Sequence, residues 1–179
     1  DLTQTISLNA GWNLISFYVD LNNAAPSVVF SELISNSNLK FVSKYAGGYT
    51  SYDQSNVDMG MGFLNSLSNI SYEYGYWVQT NTSQTFSVTG ATLSGPLQLN
   101  SGWNLVSYYV ENEVDVTTAF STLISNGNLK FVSKYAGGYT SYDQSNVDMG
   151  MGFLNSLTGL SPGFGYWVLL NNAVTDFYY

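Results

Sequence analysis

The sequence predicts an α+β fold: two tandem, mainly antiparallel β domains, each with short helices packed on the sheet. Three observations carry that prediction. The thirty residues from Asn38 to Leu67 recur without a change from Asn128 to Leu157. Flanking matches extend the duplication: Gly11-Trp12-Asn13-Leu14-Ile15-Ser16 with Gly102-Trp103-Asn104-Leu105-Val106-Ser107, and Gly75-Tyr76-Trp77-Val78 with Gly165-Tyr166-Trp167-Val168. The resulting unit of about 90 residues is the size of a small domain and too long for a solenoid turn. Finally, runs of β-branched and aromatic residues bounded by Gly and Asn alternate with two stretches of helical spacing in each unit. The expected domains are residues 1–92 and 93–179.

Each element follows from local chemistry. Thr3 to Leu8 alternates weakly and reads as a first strand, followed by a turn at Asn9-Ala10-Gly11 and a second strand from Trp12 to Val19. Copy two repeats this expected hairpin with Pro96–Leu99, Asn100-Ser101-Gly102 and Trp103–Val110. Val29, Phe30, Leu33 and Ile34 predict a helix over 25–35, with Pro26 in its first turn and Asp115 or Thr117 as the N-cap in copy two. Leu39–Tyr45 and Tyr49–Asp53 form a hairpin about Ala46-Gly47-Gly48, with Phe41, Ser43 and Tyr45 on one face and Val42 and Lys44 on the other. Phe63, Leu64 and Leu67 suggest a short helix capped by Asp58. Tyr74–Thr80 and Thr85–Thr89 make a closing hairpin across Asn81-Thr82-Ser83. The short link from Gly90 to Pro96 implies domains packed end to end.

The pattern L-N-x-G-W-N-L-[IV]-S, then V-S-K-Y-A-G-G-Y-x-S-Y-D, then G-Y-W-V resembles a repeat of secreted and surface-attached bacterial multidomain proteins. It covers nearly the whole chain, twice. The resemblance implies a structural or adhesive module and carries no catalytic residue with it.

Composition excludes several classes. Charged residues make up 9% of the chain and aromatic residues 16%, against roughly 25% charged in an ordinary soluble domain. Net charge is −8, and Lys40, Lys44, Lys130 and Lys134 are the only cations. Nucleic acid and anionic lipid therefore lack their main source of attraction. No apolar run approaches a membrane span. With neither His nor Cys, the chain lacks imidazole bases, thiol nucleophiles and the usual zinc ligands. The Ser, Thr, Asn and Tyr-rich surface, and a chain opening at Asp1 without Met, suit a processed extracellular or cell-surface protein.

Four constellations remain. Asp53 with Asp58, and Asp143 with Asp148, offer paired carboxylates, but a catalytic pair repeated unaltered in one small chain is not expected. As calcium ligands they lack the Gly bend and bidentate Glu of an EF-hand, and an Asx-turn with Asp58 as a helix cap accounts for them. No catalytic residue, metal or cofactor is assigned. Tyr45, Tyr49 and Tyr52, with Tyr135, Tyr139 and Tyr142, form either a sugar-stacking platform or cross-strand pairs, while Trp12 and Trp77 are expected in the core. Lys40 and Lys44 are expected in solvated ion pairs rather than in a Lys–Asn isopeptide. Asn69 and Asn81 head sequons and are candidate glycosylation sites.

The function expected from these features is that of a non-enzymatic extracellular structural protein, the subunit of a filament or surface layer. Its partner would be itself, joined head to tail through strands bearing Thr3, Thr5, Ile6 and Leu8 at one end and Val174, Phe177, Tyr178 and Tyr179 at the other. The alternative is a tandem carbohydrate-binding module whose partner is a polysaccharide held on the tyrosine platforms.

Overall fold

The computed structural model describes residues 1–179. Copy one begins with β1 (Leu2–Leu8), β2 (Gly11–Ile15) and β3 (Val19–Asp20). Helices α1 (Pro26–Val29) and α2 (Ser31–Ser35) lead to the hairpin of β4 (Leu39–Tyr45) and β5 (Tyr49–Asp53). Helix α3 (Gln54–Asp58), a 3-10 turn at Gly62–Leu64, β6 (Tyr76–Thr80) and β7 (Gln84–Thr92) complete it. Copy two runs β8 (Leu97–Leu99), β9 (Gly102–Val106), β10 (Val114–Asp115), α4 (Val116–Ala119), α5 (Ser121–Ser125), β11 (Leu129–Tyr135) and β12 (Tyr139–Asp143). It ends with α6 (Gln144–Asp148), a 3-10 turn at Gly152–Leu154, β13 (Gly159–Leu160), β14 (Tyr166–Leu170) and β15 (Val174–Phe177). The fold is thus mainly antiparallel sheet with short helices.

Each copy has a four-stranded sheet, ordered β2-β6-β4-β5 and β9-β14-β11-β12. A second sheet, β1-β7-β3, faces the first in copy one; β8-β15 and β10-β13 replace it in copy two. Alternation sends Val42, Tyr76 and Val78 of the four-stranded sheet inward, where they meet Ile6, Phe86 and Val88 of the second sheet and Phe30 and Leu33 of the helices. An equivalent cluster drawn from residues 97–177 forms the core of copy two.

Two expected hairpins are corners instead. β1 pairs with β7, from Leu2↔Gly90 to Leu8↔Gln84, and β2 pairs with β6. The chain therefore changes sheet at Asn9–Gly11 and back again at Asn81–Ser83. Buried asparagines hold both crossings. Asn13 Oδ1 accepts from the Asn9 amide at 2.9 Å while its Nδ2 donates to the carbonyls of Asn9 and Gly11. Asn38 Oδ1 accepts from the Thr82 amide and hydroxyl, and its Nδ2 donates to Gln84 Oε1. Side-chain amides thus take up the backbone groups a hairpin ladder would have paired. Asn104 and Asn128 repeat these roles.

The helix expected over 25–35 is broken at Phe30 (φ −101, ψ 19), whose ring is wholly buried against Phe17 and Phe86. Pro26 stands in the first turn of α1, but Asp115 makes no side-chain cap on α4. No helix is capped by Asp58. Asp53 is the cap, its Oδ1 accepting from the Ser55 amide at 2.9 Å, and α3 ends at Asp58.

The copies meet about a pseudo-two-fold axis. The Gly75 amide donates to the Leu105 carbonyl and the Gly165 amide to the Leu14 carbonyl, each at 3.2 Å. Ile15 bridges Phe164, and Tyr74 bridges Val106. Leu14 and Leu105 are buried here although they belong to neither core. An added Cβ on Gly165 would lie 2.7 Å from the Ile15 carbonyl oxygen and 3.0 Å from Gly75 Cα. The glycine of the repeated Gly-Tyr-Trp-Val motif is thus set by the close approach of the two backbones. No strand passes from one copy's sheets into the other's: β7 pairs only within copy one and β8 only within copy two. The end-to-end packing expected from the short link gives way to this two-fold contact.

Nor are the terminal strands unpaired. Thr3, Thr5, Ile6 and Leu8 lie in β1, matched along its length by β7, with Thr3 and Thr5 in hydroxyl contact with Thr89 and Ser87. Val174 and Phe177 pair with Leu99 and Leu97. Tyr178 is exposed, and the Tyr179 ring packs on Phe120 and Phe177. Each terminal strand thus pairs within its own copy, β1 as an edge strand of its sheet.

Candidate functional site

One face of each four-stranded sheet is covered by core; the other is open and aromatic. Strand parity places Trp12, Phe41, Ser43, Ser51 and Trp77 on the open face of copy one. Tyr45 and Tyr49 are register partners at the tip of the hairpin, with rings 5.1 Å apart edge to face.

The pseudo-two-fold joins the two open faces. Phe41, Trp12 and Trp77 follow one another at 5.9 and 6.2 Å, and the run continues across the junction to Tyr135 at 5.2 Å and Tyr139 at 5.1 Å. The reciprocal run is Phe131, Trp103 and Trp167 at 5.9 and 6.1 Å, then Tyr45 at 5.4 Å and Tyr49 at 5.1 Å. Nearly all these contacts are edge to face, the preferred geometry of aromatic pairs. They leave ring faces turned to solvent. Two troughs result, of about 520 and 530 Å³. The first is walled by Trp12, Phe41 and Trp77 of copy one and by Tyr135 and Tyr139 of copy two. The second is walled by Trp103, Phe131 and Trp167 of copy two and by Tyr45 of copy one. Serine hydroxyls, Ser51 and Ser141, interrupt the aromatic lining. Each trough is built from both copies.

Burial corrects the expected membership in both directions. Neither Trp12 nor Trp77 is core: Trp77 and Trp167 stand half-buried on the open face, and Trp12 and its counterpart Trp103 are 42% and 45% exposed. Their neighbour in sequence, Asn13 or Asn104, takes the inward place because the corner needs its amide. Tyr52 and Tyr142 are not on the platform. They are buried, pair with Val42 and Val132, and donate to Gln54 and Gln144 Oε1 at 2.8 and 2.7 Å. Parity along β5 was the available signal, since residues 49 and 52 fall on opposite faces of any strand. Tyr45, Tyr49, Tyr135 and Tyr139 do stand on the aromatic face. Burial, with the nearby phenols of Tyr135 and Tyr49, raises the Tyr139 phenol above its ordinary value.

Of the two lysines expected in ion pairs, Lys40 is exposed, and Lys44, like its counterpart Lys134, lies over a ring. Lys44 Nζ lies 4.3 Å from the centre of Tyr74, and Lys134 Nζ lies 3.9 Å from that of Phe164, just behind the junction glycines. Burial lowers the Lys134 ammonium pKa, with Glu113 opposing. Asp53 is occupied as a cap, and Asp58 accepts from Gln54 Nε2 at 3.0 Å; Asp143 and Asp148 repeat both roles. Asn69 and Asn81 are exposed. Asn81 Nδ2 donates to the Ser37 carbonyl at 3.0 Å.

No helix is long and apolar enough to cross a membrane. Comparison with protein-family models, curated proteins and solved structures found no match to this chain.

Proposed function

We propose that the chain is a non-enzymatic, extracellular binding module whose ligand is a polysaccharide laid along the aromatic face. The observation that supports this is the pair of reciprocal five-ring runs crossing the junction, with half-exposed tryptophans at their centres. A pyranose ring presents an apolar C–H face, which packs on an aromatic plane, and an equatorial rim of hydroxyls, which hydrogen-bond. The troughs offer both kinds of surface, in rings and in serine hydroxyls. Binding of this kind needs no charge, in keeping with a chain that carries few.

Symmetry narrows the ligand. A glycan chain has a direction, and two troughs related by a pseudo-two-fold meet it in opposite senses. A flat, uncharged, β-linked glycan offers similar ring faces in both senses and suits both troughs at once. Because each trough takes walls from both copies, one copy alone lacks the site.

Affinity electrophoresis through gels containing soluble β-glucans, with pull-down on insoluble glucan and chitin, tests this. The intact chain is retarded; Trp12→Ala with Trp103→Ala weakens binding by about tenfold or more, or ~1.4 kcal/mol, without loss of fold because both rings are half-exposed. Absence of retardation on every glycan of the panel would refute the reading.

A further inference from the structure

The open face carries two further recesses, one beyond each trough. A cleft of about 470 Å³ in copy one shares Phe41 with the first trough, and one of about 560 Å³ in copy two shares Trp103 and Phe131 with the second. Tyr139 walls both troughs, so the four recesses follow one another from copy one to copy two as a single groove. Duplication makes the two end clefts nearly alike: Lys40, Asp53 and Asn81 recur as Lys130, Asp143 and Asn171. Two lining positions change character. Gln79 of copy one corresponds to Leu169 of copy two, and Ser37 to Gly127. Gln79 is the register partner of Trp12 on one side and of Phe41 on the other, so it stands between two rings of the open face. Leu169 stands in the same way between Trp103 and Phe131. Both side chains are half-buried.

We infer that Gln79 and Leu169 make the groove directional, so that a glycan strand lies along it preferentially in one sense. This rests on the glycan reading of the troughs and adds the residues that set orientation. Under an exact two-fold, turning the strand end for end regenerates the same complex, and both senses bind equally. The troughs obey that symmetry, since Trp12, Phe41 and Trp77 of one are matched by Trp103, Phe131 and Trp167 of the other. A preference must come from side chains that break it, and along the groove these are the two at the end clefts. The Gln79 amide offers the hydroxyl rim of a sugar both a donor and an acceptor. Leu169 offers neither, and a hydroxyl pressed against it loses its water without gaining a partner. Hydroxyls and ring oxygens along a glycan strand follow one another differently when read from its two ends. The favoured sense is therefore the one that sets hydroxyls on Gln79 and a C–H face on Leu169. Ser37 adds a hydroxyl at the Gln79 end, where Gly127 adds none at the other.

Paramagnetic labelling reads the sense of binding directly. Cellohexaose and chitohexaose, each carrying a nitroxide at the reducing end, are titrated into the intact chain while the four tryptophan indole N–H signals are followed by NMR. Broadening should concentrate on one pair, Trp12 with Trp77 or Trp103 with Trp167, and a nitroxide at the non-reducing end should broaden the other pair. The preference between senses should be about threefold to tenfold, as expected of a single hydrogen bond. Gln79→Leu makes the two register positions alike and should bring that ratio close to unity. Gln79→Leu with Leu169→Gln should exchange the broadened pairs. Each substitution installs a residue that the other copy already holds at the equivalent place, so the fold should survive both. Retardation of the wild-type chain in glycan gels, without a preference between the pairs or with one that the double variant fails to reverse, overturns the inference and leaves the glycan reading standing. So does broadening of the same pair from both ends of the strand. Absence of retardation on the whole panel refutes that reading and the inference with it.

Discussion

The two copies close the same corner of their cores in different ways. In copy one Gln4, wholly buried on β1, donates from Nε2 to the Ser16 carbonyl at 3.1 Å and accepts from the Tyr18 amide at 2.8 Å. In copy two Gly95 stands at that place in the repeat, and β8 begins only at Leu97. Tyr179 arrives from the opposite end of the chain instead. Its hydroxyl donates to the Ser107 carbonyl at 2.7 Å, and its ring packs edge to face on Tyr108, Tyr109 and Phe177 at 5.0, 5.2 and 4.9 Å. Ser16 and Ser107 are equivalent residues, so one buried carbonyl is satisfied by an amide in the first copy and by a phenol in the second. A buried backbone acceptor fixes that a donor must be present without fixing which residue brings it.

The junction shows the same inequality. Ser16 Oγ donates to the Phe164 carbonyl at 2.6 Å and accepts from the Tyr108 amide at 3.0 Å. Ser107 Oγ, its counterpart, is buried without a partner. The pseudo-two-fold therefore holds for the paired glycine contacts and fails beside them, where the Ser16 amide donates to the Gly163 carbonyl at 3.1 Å and Ser107 makes no such bond.

Substitution at the junction glycines breaks the comparison most severely. At Gly165 an added methyl meets backbone at 2.7 and 3.0 Å, whereas at Gly75 the nearest backbone atoms lie at 3.0 and 3.3 Å. Gly165→Ala should cost about 1–3 kcal/mol of overpacking and part the copies, exposing the 93–96 link to limited proteolysis. Gly75→Ala should do less of both. Equal behaviour of the two variants would show that the contact relaxes freely.

Removal of Tyr179 comes next. It strands the Ser107 carbonyl and empties an aromatic site, at a cost of about 2–4 kcal/mol felt in copy two. Gln4→Leu strands the Ser16 carbonyl and the Tyr18 amide but keeps the volume, at a cost of about 1–3 kcal/mol felt in copy one. Hydrogen exchange resolved by segment assigns each loss to its copy. Loss spread evenly over both would deny that the corners are independent.

The smallest effect is alkaline. Burial raises the Tyr76 phenol in copy one and, in copy two, those of Tyr166 and Tyr179; burial with nearby Glu113 pushes Tyr108 up to about 12. Each raised phenol favours the fold fully below the unfolded tyrosine value of about 10, and that contribution fades as pH climbs through the folded values. Copy two carries Tyr108 where copy one has Phe17, and Tyr179 as well. It should therefore lose exchange protection first as pH rises above about 10. Earlier loss in copy one would contradict this ranking.

Much of the architecture was legible because it rests on local pattern. The β4–β5 hairpin falls where alternation and Gly47-Gly48 place it, and the α+β class follows from a duplication that no substitution obscures. The corners were not legible. A turn of Asn, Ala and Gly between two extended runs reads as a hairpin until the far partners, β7 and β6, are known, and those pairings lie some 70 residues away. Tyr45 and Tyr49 share the aromatic face and pair across the hairpin, whereas Tyr52 points inward, because clustering in sequence ignores parity. Trp12 misled for a related reason: its size predicts burial, yet Asn13 occupies the inward place. Phe63 and Leu64 failed in the same direction, as apolar spacing that serves an outer surface rather than the core.

The reciprocity of Gly75 and Gly165 sets a rule of parity for repeats of this kind. Each copy presents one such edge, and each edge is consumed by its opposite number. A third repeat appended to this chain would find both edges already taken and would leave Leu-Val on its own second strand bare to water. A single repeat would be in the same position and would pair with a second molecule. Copies of this unit are therefore expected to be gained or lost two at a time.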